Sequence, residues 1–268
     1  MPPSNPAKSI QYTETIDAYN KWAEVYDTDG NFLQALDTLE MRTLLPQFLA
    51  LVSSTDTQRG PGLGPRDLKL VDLGCGTGRN TLALASLTRR DARVVGLDAS
   101  KGMLDVARAA VPETETETGA GTLGTDERVS LELYDLLQSP PQPPECSRGA
   151  DGVVSTLVLE HIPLGRFFEG ASAVLRTWGL LLVSNMHSEM GSVTQAGFVD
   201  PQTGTKVRPT SYRHRVQDVL EAAEGAGFEV VELGGERVRE RAVDGGLAER
   251  LERAKKYVGV TWFGWGLL

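Results

Sequence analysis

The spacing of apolar positions changes period near residue 67. Between Thr13 and Tyr26 the apolar side chains Ile16, Tyr19, Trp22, Ala23 and Tyr26 recur at the three-to-four spacing of one helix face. Asp29-Gly30 closes that segment. Leu36, Leu39, Leu44, Leu45, Phe48, Leu49 and Val52 then mark a second helix, with Pro46 as a kink point. Residues 53–66 are rich in Gly, Pro and polar side chains and read as a loop. Beyond it, apolar runs at 68–74, 92–98, 129–135, 151–159 and 180–185 alternate with helical stretches at 79–89, 101–111 and 163–177. Such alternation predicts an α/β fold, a mostly parallel sheet with helices on both faces. A helix over 214–226, a strand over 228–233, a charged helix over 236–255 and an aromatic strand over 257–267 complete the pattern. Two stretches, 112–127 and 138–149, hold too little apolar surface to pack and are predicted to be mobile surface loops.

Composition narrows this picture. The chain has 268 residues, 40% of them hydrophobic, which suits one large α/β domain, or a domain with a small cap. We divide it into a disordered tail (1–12), a helical cap and linker (13–66) and a main domain (67–268) with an insert at 186–213. A formal charge of -9 disfavours a nucleic-acid partner. Cys75 and Cys146 form no CxxC and no paired Cys/His spacing, so neither a disulfide framework nor a metal is expected, and a reducing, cytoplasmic setting fits. Residues 1–20 contain no continuous apolar core of a leader. No run of about 18 apolar residues occurs, so no membrane span is expected.

The sharpest local signal is Val71-Asp72-Leu73-Gly74-Cys75-Gly76-Thr77-Gly78, placed where a strand ends and a helix begins. Alternate glycines let the backbone turn tightly and approach a ligand, and free N–H groups at the next helix start hold its polar end. Dinucleotide enzymes use a related turn, but with G-x-G-x-x-G spacing, and a plain turn is the alternative. Two further acids separate these readings. The second strand ends in Asp98, suited to the two hydroxyls of a ribose, and the third in Tyr134-Asp135-Leu136, whose carboxylate suits an adenine amino group. Three acids at three successive strand ends match an adenosyl site at the carboxyl edge of the sheet.

The segments VDLGCGTGRNT, GLDAS and LVLEHI resemble the motifs of class I S-adenosylmethionine-dependent methyltransferases, in the style of ubiquinone- and menaquinone-biosynthesis enzymes. The likeness covers roughly residues 68–185. YNKWAEVYDTDGN, SNMHSEMG, AGFVDP and RPTSY are similar to tailoring methyltransferases of fungi and bacteria, including N-methyltransferases of gliotoxin-type pathways. The resemblance implies a Rossmann-like, seven-stranded sheet with an N-terminal helical lid and an acceptor-side insert. It implies S-adenosylmethionine as cofactor and methylation of an oxygen or nitrogen on a small acceptor, a secondary metabolite. It places Gly74, Gly76 and Gly78 against the methionine part, Asp72 as loop organiser or partner of the amino group, Asp98 on the ribose and Asp135 with Leu136 on the adenine. Ser100 and Met103 border the adenosine, and Cys75, Thr77, Asn80, Ala99, Thr156 and Leu157 join the set. Protein or RNA methylation, sulfur as acceptor atom, and a silent cofactor-binding regulator are the alternatives. The sequence leaves the oligomeric state open.

Candidate bases are few, because the histidines are His161, His187 and His214. His161 follows the fourth strand and either meets the acceptor or caps the next helix. His187 follows the fifth strand and is expected to face the cleft. His214 reads as a surface or capping residue, and Glu160 as solvated. Tyr19, Trp22 and Tyr26 lie on one helix stripe, either as core or as a lid whose aromatic faces suit a sulfonium. Arg79 either reaches the cofactor or sits solvated at its helix start. Residues 186–213 carry a turn at Pro201-Gln202-Thr203-Gly204 that reads as a hairpin, with Phe198, Arg208 and Tyr212 as candidate acceptor contacts.

Overall fold

A computed structural model describes residues 10–57, 67–111, 113–115, 123–125, 127–250 and 252–268. In chain order the elements are β1 (Ile10–Tyr12), α1 (Thr15–Trp22), α2 (Phe32–Thr57), β2 (Lys69–Leu73), α3 (Arg79–Leu87), β3 (Arg93–Asp98), α4 (Lys101–Ala110), β4 (Glu113–Glu115), β5 (Leu123–Thr125) and β6 (Val129–Leu133). They continue with β7 (Ala150–Thr156), α5 (Leu164–Val174), β8 (Leu175–Met186), α6 (Ser188–Val193), β9 (Phe198–Val199), β10 (Lys206–Arg208), α7 (Val216–Gly225), β11 (Val238–Ala242), α8 (Gly245–Arg250) and β12 (Thr261–Leu267). Short 3-10 turns at Ala23–Val25 and Leu159–His161 matter below.

Seven strands form the main sheet in the order β11-β12-β8-β7-β2-β3-β6. From β6 to β8 neighbouring strands are parallel, and β12 inserts antiparallel beside β8. The chain winds outward from β2 to β3 and β6, then returns to place β7 on the other side of β2. At such a reversal the loops leave in opposite directions and open a crevice at the carboxyl ends of the strands.

Side-chain alternation along the strands builds two cores. Leu70, Val94, Val154 and Leu182 pack with Leu36, Leu44 and Phe48 of α2. Val71, Val95, Val153 and Leu181 face the other way, against Phe167 and Phe168 of α5 and Ala223 of α7. Pro46 lies inside α2 without ending it. A third, smaller cluster joins Ala18 and Trp22 of α1 to Met103 of α4 and to Phe198 and Val207 of the insert.

Several expectations change here. Residues 10–12, assigned to the tail, pair as β1 with β10, Tyr12 opposite Arg208, because β10 offers an open edge; residues 1–9 lie outside the described residues. The charged helix expected over 236–255 is instead β11, followed by the short α8 and a 3-10 turn at Glu252–Tyr257. In β11 the charges alternate. Arg239 and Arg241 both reach Glu40 of α2, at 3.7 and 3.9 Å, while Glu240 turns to His187. That period of two fits a strand. The strand expected over 228–233 is reduced to isolated bridge residues, Leu233 pairing with Glu236. The stretch 138–149, expected to be mobile, is tied down: Arg148 Nε donates to the Pro143 carbonyl, Lys69 Nζ donates to the Arg148 carbonyl, and Ser147 is buried. Within 112–127, β4 and β5 pair antiparallel. The expected hairpin of the insert is present as β9 and β10, with Gly204 N–H donating to the Asp200 carbonyl. Among the described residues no helix is long and apolar enough to cross a membrane, and no group of three or more His, Cys, Asp or Glu side chains is placed to hold a metal.

Candidate active site

The turn after β2 uses its glycines for different reasons. Gly74, Gly76 and Gly78 take φ of 79°, 54° and 87°, the left-handed region that side chains disfavour. A Cβ on Gly74 would lie 2.3 Å from Val158 Cγ2, and one on Gly78 3.1 Å from Ala107 Cβ, whereas one on Gly76 would meet nothing within 4 Å. Gly74 and Gly78 therefore permit close packing, and Gly76 leaves the space above the turn open. The N–H groups of Gly74 and Cys75 both donate to the Leu97 carbonyl, at 2.7 and 2.9 Å. Below the turn, buried Asp72 accepts the Thr81 hydroxyl at 2.7 Å, and burial lifts its carboxyl to about 6. Asp72 thus braces the turn from beneath.

Asp98 ends β3 and accepts the N–H groups of Gly76 and Ser100, each at 2.8 Å. Burial pushes its carboxyl above the ordinary value, and these backbone N–H groups pull it back. Asp135 accepts the Leu137 N–H at 2.8 Å. Both acids line a cleft of about 750 Å³, whose walls include Gly74, Gly76, Ala99, Ser100, Leu136, Thr156 and Leu157. A smaller pocket of about 310 Å³ shares Tyr26, Gly74, Gly76, Thr156 and Leu157 with it and adds Cys75, Thr77 and Asn80. Asn80 Nδ2 donates to Thr156 Oγ1 at 2.8 Å, and Thr77 Oγ1 donates to Asp27 at 2.9 Å. Arg79, expected either at the cofactor or in solvent, also lines the smaller pocket and donates to fully buried Asp37 at 2.6 Å, where Ser184 Oγ also donates. Leu157 itself takes φ 57°, a strained backbone at the crevice.

The N-terminal segment borders this cleft. Tyr19 and Tyr26 line it, together with Thr15 and Ile16. Tyr19 also meets His161: its phenol oxygen lies 2.8 Å from Nε2, and His161 Nδ1 lies 2.7 Å from the Thr210 carbonyl. A carbonyl only accepts, so Nδ1 carries the proton, Nε2 is the acceptor, and Tyr19 donates. Burial holds the His161 ring down at about 4, in its neutral form. Glu160, expected in solvent, is buried; its Oε1 lies 4.0 Å from His161 Nε2, and burial lifts its carboxyl to about 7.

Other expected site residues lie elsewhere. Trp22 donates to Asp29 at 2.7 Å and stacks on Phe198, so both aromatics are core that fastens the insert to α1. Met103 is fully buried in the same cluster, short of the cleft. His187 is not brought to the cleft: Nδ1 accepts the Glu189 N–H at the start of α6, and Nε2 pairs with Glu240 at 2.7 Å. His214 Nε2 donates to the Ile162 carbonyl and its ring stacks with Tyr212; it does not cap α7, which starts at Val216 with Arg215 at its N-cap. Tyr212 is exposed, and Arg208 keeps a buried Nε without a partner. Sequence reasoning passed over Asn20, whose Oδ1 accepts from Ser100 Oγ and the Gly102 N–H, at 2.9 and 3.0 Å. No local pattern signals such a pairing across 80 residues.

Comparison with known proteins bears on this geometry. The methyltransferase domain family matches residues 70–179, which include the glycine turn, Asp98, Asp135 and the Leu159–His161 turn. An uncharacterised methyltransferase of Emericella nidulans is 56% identical over 265 residues, covering 95% of this chain and 91% of that protein. A trans-aconitate 2-methyltransferase of Methylobacterium radiotolerans is 41% identical over 111 residues, 41% of this chain and 33% of that one. Among solved structures, an S-adenosylmethionine-dependent methyltransferase from Mesorhizobium loti shares the fold with a TM-score of 0.52 at 22% identity, covering 75% of this chain and 90% of that one. With its glycine turn and paired strand-end acids, and with a near full-length relative of the same kind, the chain belongs to the class I S-adenosylmethionine-dependent methyltransferases.

Proposed function

We propose that this enzyme methylates an oxygen or nitrogen of a small molecule, of the tailoring kind found in secondary metabolism, in the cytoplasm. The observation that carries the proposal is the partly covered cleft. Tyr19 and Tyr26 cover the crevice, and the insert is locked onto the same helix through Phe198 and Trp22. A crevice of this size, partly covered by aromatic side chains, suits a cofactor and a small acceptor better than a polymer. The match to a methyltransferase named for trans-aconitate supports a small acceptor. The finer likeness to ubiquinone-pathway and gliotoxin-type enzymes rests on sequence motifs alone.

The residues present fit the cofactor: an open cradle over Gly76, and Asp98 and Asp135 on the cleft wall. In our reading Gly74, Gly76 and the smaller pocket hold the methionine part, Asp98 the ribose, and Asp135 with Leu136 the adenine. S-adenosylmethionine supplies a methyl group already activated on a sulfonium. The chain aligns the acceptor and excludes water. His161, fixed through Thr210, holds the Tyr19 phenol over the cleft. Residues 13–57 serve as the cap, and 186–213 as the acceptor-side insert.

Two experiments test this. Asp98→Ala should weaken binding of S-adenosylhomocysteine by at least about 100-fold in calorimetry, since charge-assisted hydrogen bonds contribute about 1.5–3 kcal/mol each. Unchanged affinity in folded protein would remove Asp98 from the site. Incubation of the enzyme with methyl-labelled cofactor and a size-fractionated extract should label the small-molecule fraction; label confined to protein or RNA would overturn the small-acceptor reading.

A further inference from the structure

Tyr19 of α1 and His161 of the Leu159–His161 turn lie 142 residues apart in the chain, and both line the cofactor cleft. The Tyr19 ring is held against Trp22 and Tyr26, with ring centroids 5.4 and 6.0 Å away. Its phenol donates its proton to His161 Nε2 at 2.8 Å, and His161 Nδ1 donates in turn to the Thr210 carbonyl at 2.7 Å. The hydrogens of this chain therefore run one way, from the phenol toward Thr210. A phenol oxygen whose proton is committed can only accept, so the chain presents a hydrogen-bond acceptor at its Tyr19 end. Few charges accompany it. The carboxylates on the described walls of the cleft are Asp98 and Asp135, and no lysine or arginine lies there. Arg79, in the smaller pocket, is matched by Asp37.

We propose that the Tyr19 phenol oxygen receives the O–H or N–H of the acceptor, and that the acceptor is an uncharged hydroxyl or amide compound whose proton leaves through Tyr19 to His161. This rests on the small-acceptor reading above and names its substrate class. A lone pair of the acceptor atom X forms the bond to the methyl carbon, and the carbon–sulfur pair stays on sulfur. The X–H pair stays on X as its proton passes to the Tyr19 oxygen, while the phenol's own proton passes to His161 Nε2. The positive charge of the sulfonium thus ends on the imidazolium. Tyr26, Asp98 and Asp29 face Tyr19, and Glu160 faces both partners, its Oε1 4.0 Å from Nε2, where a carboxylate favours that imidazolium. A ring held at about 4 is too weak a base to strip a free hydroxyl beforehand. An X–H whose X has gained a methyl group is a far stronger acid, so the proton follows the methyl. An ionised carboxylate brings no proton to the Tyr19 oxygen, meets no cation on the described walls, and is repelled by Asp98 and Asp135. An ammonium group has no lone pair to offer. Neutral hydroxyls and amides satisfy both demands.

Two measurements test this, and one of them needs no acceptor. A phenol, a secondary amide and trans-aconitate, the acid for which the Methylobacterium relative is named, are each incubated with methyl-labelled S-adenosylmethionine. Label is expected in the phenol or the amide and not in trans-aconitate. Tyr19→Phe keeps the ring and removes the oxygen. Its turnover should fall at least about 100-fold while its affinity for S-adenosylhomocysteine is unchanged. His161→Asn should lose about as much, and the double variant no more than the worse single one, because the two groups act as one chain. Label only in trans-aconitate, wild-type turnover in Tyr19→Phe, or losses that multiply in the double variant would overturn the proposal. The second measurement reads the direction of the chain in the wild-type protein. Nitrogen-15 spectra of histidine-labelled enzyme should show His161 protonated on Nδ1 and bare on Nε2, with the Nε2 signal shifted in Tyr19→Phe. A proton on Nε2 would make Tyr19 accept from the ring and free the phenol proton for the cleft, which would overturn the proposal even if no panel compound takes label. Failure of wild type to bind S-adenosylhomocysteine would instead strike the cofactor site, and label found only in macromolecules would strike the small-acceptor reading; in both cases the spectra judge the Tyr19–His161 chain separately.

Discussion

Three buried titratable side chains around the crevice oppose one another, and their signs make a test. His161 is held at about 4 against an ordinary 6.5, so its stabilising contribution is present above 6.5 and is lost as pH falls through 4. Asp72, raised from 3.8 to about 6, and Glu160, raised from 4.5 to about 7, behave oppositely and lose theirs as pH rises. Between about 4.5 and 6 the histidine partly cancels the two acids. His161→Asn removes the term that grows with pH. Stability of the variant should therefore fall more steeply with rising pH than that of wild type, by up to about 3 kcal/mol over the histidine's window. Urea midpoints collected at several pH values from 4 to 7 would show it. Parallel curves for the two proteins would mean that His161 is not held neutral in the folded state.

At the scale of elements, the glycine turn separates folding from binding. Gly74→Ala forces a Cβ to 2.3 Å from Val158 at a left-handed φ, so it should cost about 2–3 kcal/mol of stability as well as cofactor affinity. Gly76→Ala has the same backbone penalty, about 1 kcal/mol, but its methyl group enters open space above the turn. It should therefore lower affinity for S-adenosylhomocysteine, by about 10-fold or more, out of proportion to its effect on melting. Equal effects of the two substitutions on both readouts would contradict this division. The turn was legible in the sequence because strand, glycines and helix are neighbours along the chain. Asp98 and Asp135 were legible for the same reason, each ending an apolar run. Strand β11 was not: its charges were read as a helix because their partner, Glu40, lies on α2, far away in sequence. The aromatic stripe of α1 was legible as a stripe only. Spacing alone does not tell Tyr19 and Tyr26, which line the cleft, from Trp22, which packs on Phe198. His187 misled because a histidine after a strand end serves equally as a helix cap.

For the molecule as a whole, the sheet supplies a fixed crevice, and on the reading proposed above the described residues from Ile10 to about residue 40 cover it. β1 adds to the edge of β10, Tyr12 opposite Arg208, and so ties the N-terminal segment to the insert. Trp22 and Phe198 stack at 5.3 Å and fasten the same two segments again. A further anchor is Asn20, whose Oδ1 accepts from Ser100 Oγ and Gly102 N–H at the start of α4. Ser100 is also the N-cap of that helix, taking the Met103 N–H at 3.2 Å, and it lines the cleft. Asn20 thus joins the cover to the wall on which the adenosine is proposed to lie. Asn20→Ala removes one acceptor shared by two donors and should cost about 1–3 kcal/mol of stability, since Ser100 is buried and its hydroxyl loses that acceptor, whereas Gly102 is half-buried. Its main effect should be kinetic. With the aromatic cluster and β1 intact the cover still forms, but it opens more often. Bound S-adenosylhomocysteine should then leave about 10-fold faster while its association rate hardly changes, because dissociation is where weakened closure appears. Stopped-flow displacement on wild type and variant measures both rates. An unchanged dissociation rate, with the expected small loss in melting temperature, would show that α1 packs beside the crevice without closing it.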